Sequence, residues 1–316
     1  MPKTLRFKDG VFKILHMTDF HIRNGDEKDI RTCALVRKLI ESESPDLIVI
    51  GGDLIHKEET LNPPAAFEDA LAPVAQSGIP WAFIFGNHEL QSGVDPARFI
   101  EILKRLPNGL FQVGPSHIQG QSNYILKIMG GTKSGPAALL YLFDDGTKMV
   151  YPNKGKSWIH RSQIAWYVKN SERFTAKNNG APLPALAFMH VPLPEYKEIW
   201  DYYTCYGDCG KGKISPQINS GLFAAMLEMG DIMGVFAGHS HRNDFYGDLY
   251  GIRLAHSRIT GYGKAEEEYP RGARVIRLYE GERRFDTWQL LDDGSVLLDP
   301  PEHLPEFPAP NITVLS

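Results

Sequence analysis

Five apolar runs, each ending abruptly in a polar block, set the pattern of this chain. Phe12-Lys13-Ile14-Leu15-His16-Met17, Asp46-Leu47-Ile48-Val49-Ile50, Trp81-Ala82-Phe83-Ile84-Phe85, Ala185-Leu186-Ala187-Phe188-Met189 and Met233-Gly234-Val235-Phe236-Ala237 are short and strand-like. Between the first three, residues 29–43 place Ile30, Cys33, Ala34, Val36, Arg37 and Ile40 at near-helical spacing before Pro45. A second helical stretch runs from Pro63-Pro64 through Ala75 and breaks at Gly78. This β-α-β-α-β order predicts that the three strands are parallel. Upstream, Asp9-Gly10 between two alternating runs predicts a tight hairpin, which makes the first strand edge-flanked.

The second half reads differently. Pro96 to Leu106 is helical in pattern, and residues 122–143 alternate as antiparallel strands interrupted at Gly130-Gly131 and Ser134-Gly135-Pro136. Ser162 is the expected N-cap of a helix through Ile164, Trp166, Tyr167 and Val168 that stops at Asn178-Asn179-Gly180. A further helix is expected over 221–229, and residues 252–298 read as strands and turns. The proline-rich stretch 300–310 should lie as an extended surface strap. No internal repeat or low-complexity linker divides the chain. The reading is one α/β domain of two packed sheets over residues 1–299, with a C-terminal tail over 300–316.

With 316 residues, 42% hydrophobic and 23% charged, the chain can bury a large single core and carries no sign of long disorder. No stretch approaches the roughly 18 apolar residues that span a bilayer, and the start at Met1-Pro2-Lys3-Thr4 leaves no room for a secretory signal. A soluble, cytoplasmic protein without a membrane partner is expected, with secretion of a processed precursor left open. A net charge of −4 and the lack of a dense Lys/Arg block disfavour nucleic acid as a partner. Bound cations would still make the site itself attractive to an anion. Cys33, Cys205 and Cys209 are too few for a disulfide scaffold or a thiolate zinc site; Cys33 is expected on a buried helix face, and free thiols are favoured over a Cys205–Cys209 bridge.

The polar blocks are Asp19-Phe20-His21, Gly51-Gly52-Asp53, Gly86-Asn87-His88-Glu89, His190 and Gly238-His239-Ser240-His241. Ligands of open α/β sheets bind beyond the carboxyl ends of strands, so five strand ends can gather these blocks into one crevice. Two divalent ions about 3.5 to 4 Å apart need a bridging ligand, and a short carboxylate suits that role. Asp53 is the expected bridge, with Gly51 and Gly52 letting backbone approach. Asp19 and His21, two apart in an extended segment, can chelate one ion. Asn87 offers a neutral carbonyl oxygen, His190 and His239 offer imidazole, and His241 lets one His-X-His serve both ions. Imidazole, carboxylate and amide without thiolate suit a pair of divalent or mixed-valence iron, manganese or zinc ions, whereas calcium is disfavoured. His88, pointing away from Asn87 in an extended segment, is free to protonate a leaving oxygen while a hydroxide held between the ions attacks phosphorus in line.

Asp-X-His, Gly-Gly-Asp, Gly-Asn-His-Glu, a lone later His and Gly-His-X-His, in this order over residues 19–241, resemble the calcineurin-like metallophosphoesterase superfamily. Asn219-Ser220-Gly221, Thr260-Gly261-Tyr262-Gly263 and Arg271-Gly272-Ala273-Arg274-Val275 look like its purple-acid-phosphatase-29-like, Icc-type branch. The resemblance implies a four-layer α/β/β/α sandwich of two mixed sheets flanked by helices. It also implies Asp19, His21, Asp53 and His241 on one ion, Asp53, Asn87, His190 and His239 on the other, and His88 as the catalytic histidine. Purple acid phosphatases proper carry an iron-binding tyrosine three residues after the bridging aspartate. Here that position is His56, so the resemblance does not assign iron.

Taken singly, each block has an ordinary structural reading: a strand-end turn or a hydrogen-bonded histidine. Five blocks in the required order at strand ends do not. His16, His117, His160 and His303 are read as structural, and His56 and His256 as neighbours of the site. The aromatic loop from Trp200 to Gly212, with Gly207, Gly210 and Gly212 as pivots, is the expected substrate cap. The expected activity is hydrolysis of a small-molecule phosphate ester, as a phosphomonoesterase or phosphodiesterase. Cyclic nucleotides are an alternative substrate, and a non-catalytic metal-binding scaffold is the alternative of another class. Oligomeric state has no signature in the sequence.

Overall fold

In the computed structural model, which describes residues 3–131, 135–145, 158–210, 218–264 and 269–305, the chain alternates strands and helices from the outset. The first half runs β1 (Val11–Met17), α1 (Glu27–Glu43), β2 (Leu47–Ile50), α2 (Pro63–Gln76), β3 (Trp81–Phe83), α3 (Asn87–Leu90) and α4 (Pro96–Arg105). Strands β4 (Tyr124–Met129) and β5 (Pro136–Leu142) follow, then α5 (Arg161–Lys177), β6 (Ala185–Met189), α6 (Glu195–Tyr202), β7 (Cys205–Tyr206), α7 (Leu222–Met229) and β8 (Ile232–Ala237). The chain ends in β9 (Tyr246–Leu249), β10 (Ile252–His256), β11 (Gly272–Tyr279), β12 (Phe285–Leu291), β13 (Val296–Leu297) and β14 (Glu302–His303).

Two mixed sheets result. One has the order β13-β12-β11-β1-β2-β3, and the other β14-β7-β9-β10-β8-β6-β5-β4. β1, β2 and β3 are parallel, as the β-α-β-α-β reading predicts, and β5, β6, β8 and β10 are parallel in the second sheet. The sheets face each other across Phe12, Ile14, Val49 and Ala82 on one side and Leu140, Leu186, Phe188 and Phe236 on the other. The opposite faces carry the helices: Leu15, Ile48, Ile50 and Phe83 pack with Leu35, Leu39, Phe67 and Leu71, while Ala187, Met189 and Val235 pack with Tyr167, Tyr196 and Met226. Strands covered on both faces have no solvent side to alternate with, which is why the five runs read as continuous apolar sequence.

Several local expectations are corrected. Asp9 and Gly10, both at positive φ, do turn Lys8 back onto Val11. The arm before the turn leaves for the other sheet, where the N–H of Phe7 donates to Met129 O at 3.0 Å and the N–H of Met129 donates to Leu5 O at 2.9 Å. β1 is therefore central, between β11 and β2, and not edge-flanked. Helix α5 begins two residues ahead of expectation, with His160 as N-cap and Gln163 Oε1 accepting its N–H at 2.8 Å. On α1 the expected apolar face is rotated: Ile30 is 66% exposed and Cys33 half-buried, while Thr32, Leu35, Val36, Leu39 and Ile40 turn inward. All three cysteines are free thiols. The start of the tail adds β14 to the second sheet against β7, and residues 306–310 lie outside the described residues. Among the described residues, no helix is long and apolar enough to cross a membrane.

Candidate metal centre

Beyond Met17 the chain coils: Asp19 and His21 both take left-handed backbone, φ 58° and 52°. The turn is stitched to the loop after β2, since the N–H groups of Asp19, His21 and Ile22 donate to the carbonyls of Gly52, Asp53 and Leu54 at 3.0, 3.1 and 2.8 Å. The two side chains converge through this turn and not through an extended segment, which corrects the two-residue argument. Asp53 and His239 are likewise left-handed, at φ 54° and 66°. The loop after β3 approaches so closely that a Cβ on Gly86 would sit 2.3 Å from Asp53 Oδ1, and one on Gly52 would sit 2.5 Å from Gly86 N. Glycine is required where these two loops touch.

The convergence is tight. One ligand atom each of Asp19, His21, Asp53 and His241 fall within 4.8 Å of one another, and so do those of Asp53, His190 and His239. Asp53 belongs to both groups. His21 Nε2 faces His241 Nε2 at 2.9 Å, and His241 Nε2 stands 3.3 Å from Asp19 Oδ1. In the second group His190 Nε2 is 3.1 Å from Asp53 Oδ2 and 3.3 Å from His239 Nδ1. His190 Nδ1 meets Gly51 O at 2.7 Å, a contact that fixes a proton on Nδ1 and turns Nε2 toward the group.

Burial disfavours charge on Asp19, but His21 and His241 beside it hold its carboxyl well below the usual carboxylate range. Asp53 is lowered in the same way, its burial outweighed by His190, whose imidazole is pushed up in return by the Asp53 carboxylate. Asp19 Oδ2 accepts the Thr18 hydroxyl at 2.7 Å and the His239 N–H at 2.9 Å. Its Oδ1, together with Asn87 Oδ1, is buried without a hydrogen-bond partner among the described residues. The clustered carboxylates and imidazole nitrogens, with the orphaned Asp19 Oδ1 among them, fit a pair of cations, because a buried acceptor is costly unless something satisfies it.

His88 is the first residue after Asn87 in α3, so the pair sits on a helical turn and not in the extended segment expected. The ring is buried; its Nδ1 accepts the Lys57 N–H at 3.1 Å and its Nε2 is 3.9 Å from Asp53 Oδ2. Burial pushes its pKa down to about 3, against the pull of Asp53.

The sequence profile of the calcineurin-like phosphoesterases matches residues 12–243, a span that contains every polar block. The chain belongs to the calcineurin-like phosphoesterase family. Two relatives from Arabidopsis thaliana are each 33% identical over 92% of this chain: the probable inactive purple acid phosphatase 14, with 81% of its length covered, and the probable inactive purple acid phosphatase 29, with 85%. A dimetal phosphatase from Danio rerio superposes with a TM-score of 0.62 at 15% identity, over 93% of this chain and 100% of its own. At that identity the likeness is one of fold.

Other residues of this calcineurin-like phosphoesterase fall into place around the centre. His56, at the tyrosine position of purple acid phosphatases, is buried with its ring centroid 5.9 Å from that of His21 and 5.3 Å from that of His88. His256 packs edge-on to Tyr196 and Phe245 in the second sheet's helix-facing core. His16 lies under the site with Nδ1 on Ser257 Oγ at 2.6 Å. The described part of the loop expected to cap the substrate is packed against the second sheet. Trp200 stacks on His303 at 3.6 Å and tilts onto Phe245, Gly207 is tied to Pro301 O, and Gly210 to Asn243; Gly212 lies outside the described residues. Sequence reasoning missed the work of Glu89. Its buried carboxylate accepts the N–H groups of Asp53, Leu54, Ile55 and Gly86 at 3.0, 2.6, 3.3 and 2.9 Å, which binds the β2 and β3 loops together.

Proposed function

We propose that this calcineurin-like phosphoesterase hydrolyses small organic phosphate esters with two transition metal ions. Asp19, His21, Asp53 and His241 would hold one, and Asp53, Asn87, His190 and His239 the other. The observation that carries the reading is the membership of Asp53 in both ligand groups, with His88 Nε2 3.9 Å from its outer oxygen. Two such ions, when bound, supply an activated water and neutralise the phosphoryl oxygens. The donor set of imidazole, carboxylate and amide suits iron, manganese or zinc. His88, with Nδ1 engaged by the Lys57 N–H, carries its proton on Nε2, the atom that faces the centre and can donate to a leaving oxygen.

A second reading has an observation behind it, since the two plant relatives bear the word inactive in their names. A chain that held metals as a scaffold without turnover would keep the same ligands. The deciding experiment is elemental analysis of protein purified without chelator, run beside hydrolysis of para-nitrophenyl phosphate and its bis-ester with added manganese, zinc or iron. Near two metals per chain with turnover supports the esterase, and the ratio of the two rates picks monoester or diester. Full metal loading with neither substrate turned over at any pH sinks it in favour of the scaffold.

A further inference from the structure

Lys264 is not among the ligands, yet its ammonium nitrogen stands 3.3 Å from His88 Nε2. The segment that delivers it is held against the Asp19–His21 turn. The N–H groups of Thr260 and Gly261 donate to Thr18 O and Asp19 O at 3.0 and 3.1 Å, and the Tyr262 N–H donates to Thr32 Oγ1 at 3.0 Å. The approach leaves no room for side chains: a Cβ on Gly261 would lie 1.8 Å from Phe20 O, and one on Gly263 would lie 2.1 Å from His21 O. Tyr262 between them is fixed by its hydroxyl on Asp292 at 2.7 Å and by the Arg31 guanidinium 3.8 Å over its ring. The glycines bring the backbone in, the tyrosine anchors it, and Lys264 is the next side chain after this clamp.

Its contact with His88 is not a hydrogen bond that satisfies both partners. The Lys57 N–H is a fixed donor to His88 Nδ1, so the ring carries its hydrogen on Nε2. The Nε2–H and the Lys264 ammonium are then two donors converging on one place. Among the described residues, the charged groups nearest them are already engaged, Asp53 Oδ2 with His190 Nε2 at 3.1 Å included. Glu59 is paired with Arg23 at 2.8 Å, Lys57 Nζ donates to Gln91 Oε1 at 2.6 Å, and Asp53 Oδ1 is taken by the His88 N–H at 2.7 Å. Two convergent donors beside a metal centre make a seat for an anionic oxygen.

We propose that Lys264 binds the phosphoryl group of the substrate together with His88 and selects phosphate monoesters over diesters. The inference rests on the esterase reading above. A monoester carries close to two negative charges at neutral pH, its second pKa being about 6, whereas a diester carries one. A fixed ammonium therefore favours the monoester, and it also favours inorganic phosphate as a product inhibitor.

The test compares metal-loaded wild type with Lys264→Met and Lys264→Arg. Three quantities are read: metal content, inorganic phosphate binding by titration calorimetry, and kcat/KM for para-nitrophenyl phosphate and its bis-ester. In Lys264→Met, phosphate affinity and monoester kcat/KM should fall roughly tenfold to a hundredfold, the range of a lost hydrogen bond to a charged group. Diester kcat/KM should change less than about threefold, metal content should be unchanged, and Lys264→Arg should keep most of the phosphate affinity. Equal losses on both esters, or unchanged phosphate affinity, overturn the assignment. If wild type turns over neither ester, the esterase reading fails by itself. The phosphate titration then still decides on Lys264: a loss in Lys264→Met upholds the anion seat, and no binding by wild type overturns it.

Discussion

His88 and Asp53 are linked through two different atoms of the same residue: the His88 backbone N–H donates to Asp53 Oδ1 at 2.7 Å, and the ring Nε2 stands 3.9 Å from Asp53 Oδ2. The proposed hydrogen-bond donor to the leaving oxygen and the residue common to both groups thus keep one geometry. Only the first link survives truncation of the ring. His88→Ala should therefore keep its metals and its fold while losing roughly a hundredfold to ten-thousandfold in kcat, the usual range for a positioned acid. Metal analysis beside steady-state kinetics checks this, and an unchanged kcat at full metal content removes His88 from the chemistry.

Glu89 holds the centre from behind. Its two oxygens take N–H groups from both the Asp53 loop and Gly86, so Glu89→Gln replaces one acceptor by an amide that points donors at donors. A buried N–H left without a partner costs about 1 to 3 kcal/mol. The variant should melt several degrees lower and bind metal more weakly, although Glu89 is not a ligand. Calorimetric unfolding and metal titration of the variant test it; wild-type values for both would mean that the Glu89 contacts do not hold Asp53 in place.

The ligand grouping makes a prediction about stoichiometry. Asp53 is common to both groups, whereas the orphaned Asn87 Oδ1 is assigned to one. Asp53→Ala should drop metal content below one per chain, and Asn87→Ala should leave about one, since a bridging carboxylate serves both ions of a pair. Elemental analysis after gel filtration reads this directly. Equal stoichiometry in the two variants would break the assignment of Asp53 as the shared ligand.

The apolar runs made the strands of the site legible, because strands buried on both faces must be continuously apolar and ligands gather at their ends. The convergence of Asp19, His21, Asp53, His190, His239 and His241 follows from that layout. How each loop achieves it was not legible. Asp19, His21, Asp53 and His239 sit in left-handed backbone, which costs an L-residue about 1 to 2 kcal/mol and which propensity argues against. Those conformations are held by acceptors on other segments, the Gly52 and Asp53 carbonyls for Asp19 and His21, the Glu89 carboxylate for Asp53 and Asp19 Oδ2 for His239, so they depend on contacts between distant segments. The same applies to Lys264: Gly261 and Gly263 mark a close approach in the sequence, but not what is approached. The rotated face of α1 has a simpler origin, since Thr32 is buried with its hydroxyl on Lys28 O and a threonine carries no apolar signal for an inward position.

Asp145 gives the protein a pH dependence of its own. The Val191 N–H donates to its Oδ2, while its Oδ1 is buried without a partner among the described residues. Burial raises its pKa from 3.8 to about 7, against the pull of His190. A carboxyl whose folded value lies above its unfolded value keeps its proton longer when folded. Its contribution to stability is then greatest below pH 4 and is lost as pH rises toward 7. Asn in its place can accept the same N–H and carries no such cost. In metal-free protein, Asp145→Asn should therefore melt close to wild type at pH 4 and several degrees above it at pH 8, a gain on the order of a few kcal/mol at about 1.4 kcal/mol per pKa unit. Asp145 also helps to raise His190, so the difference reports the Asp145–His190 pair and not Asp145 alone. Thermal unfolding at the two pH values decides: the same gap at both would mean that Asp145 is ionised in the folded protein throughout, with its charge satisfied in a way that burial does not reveal.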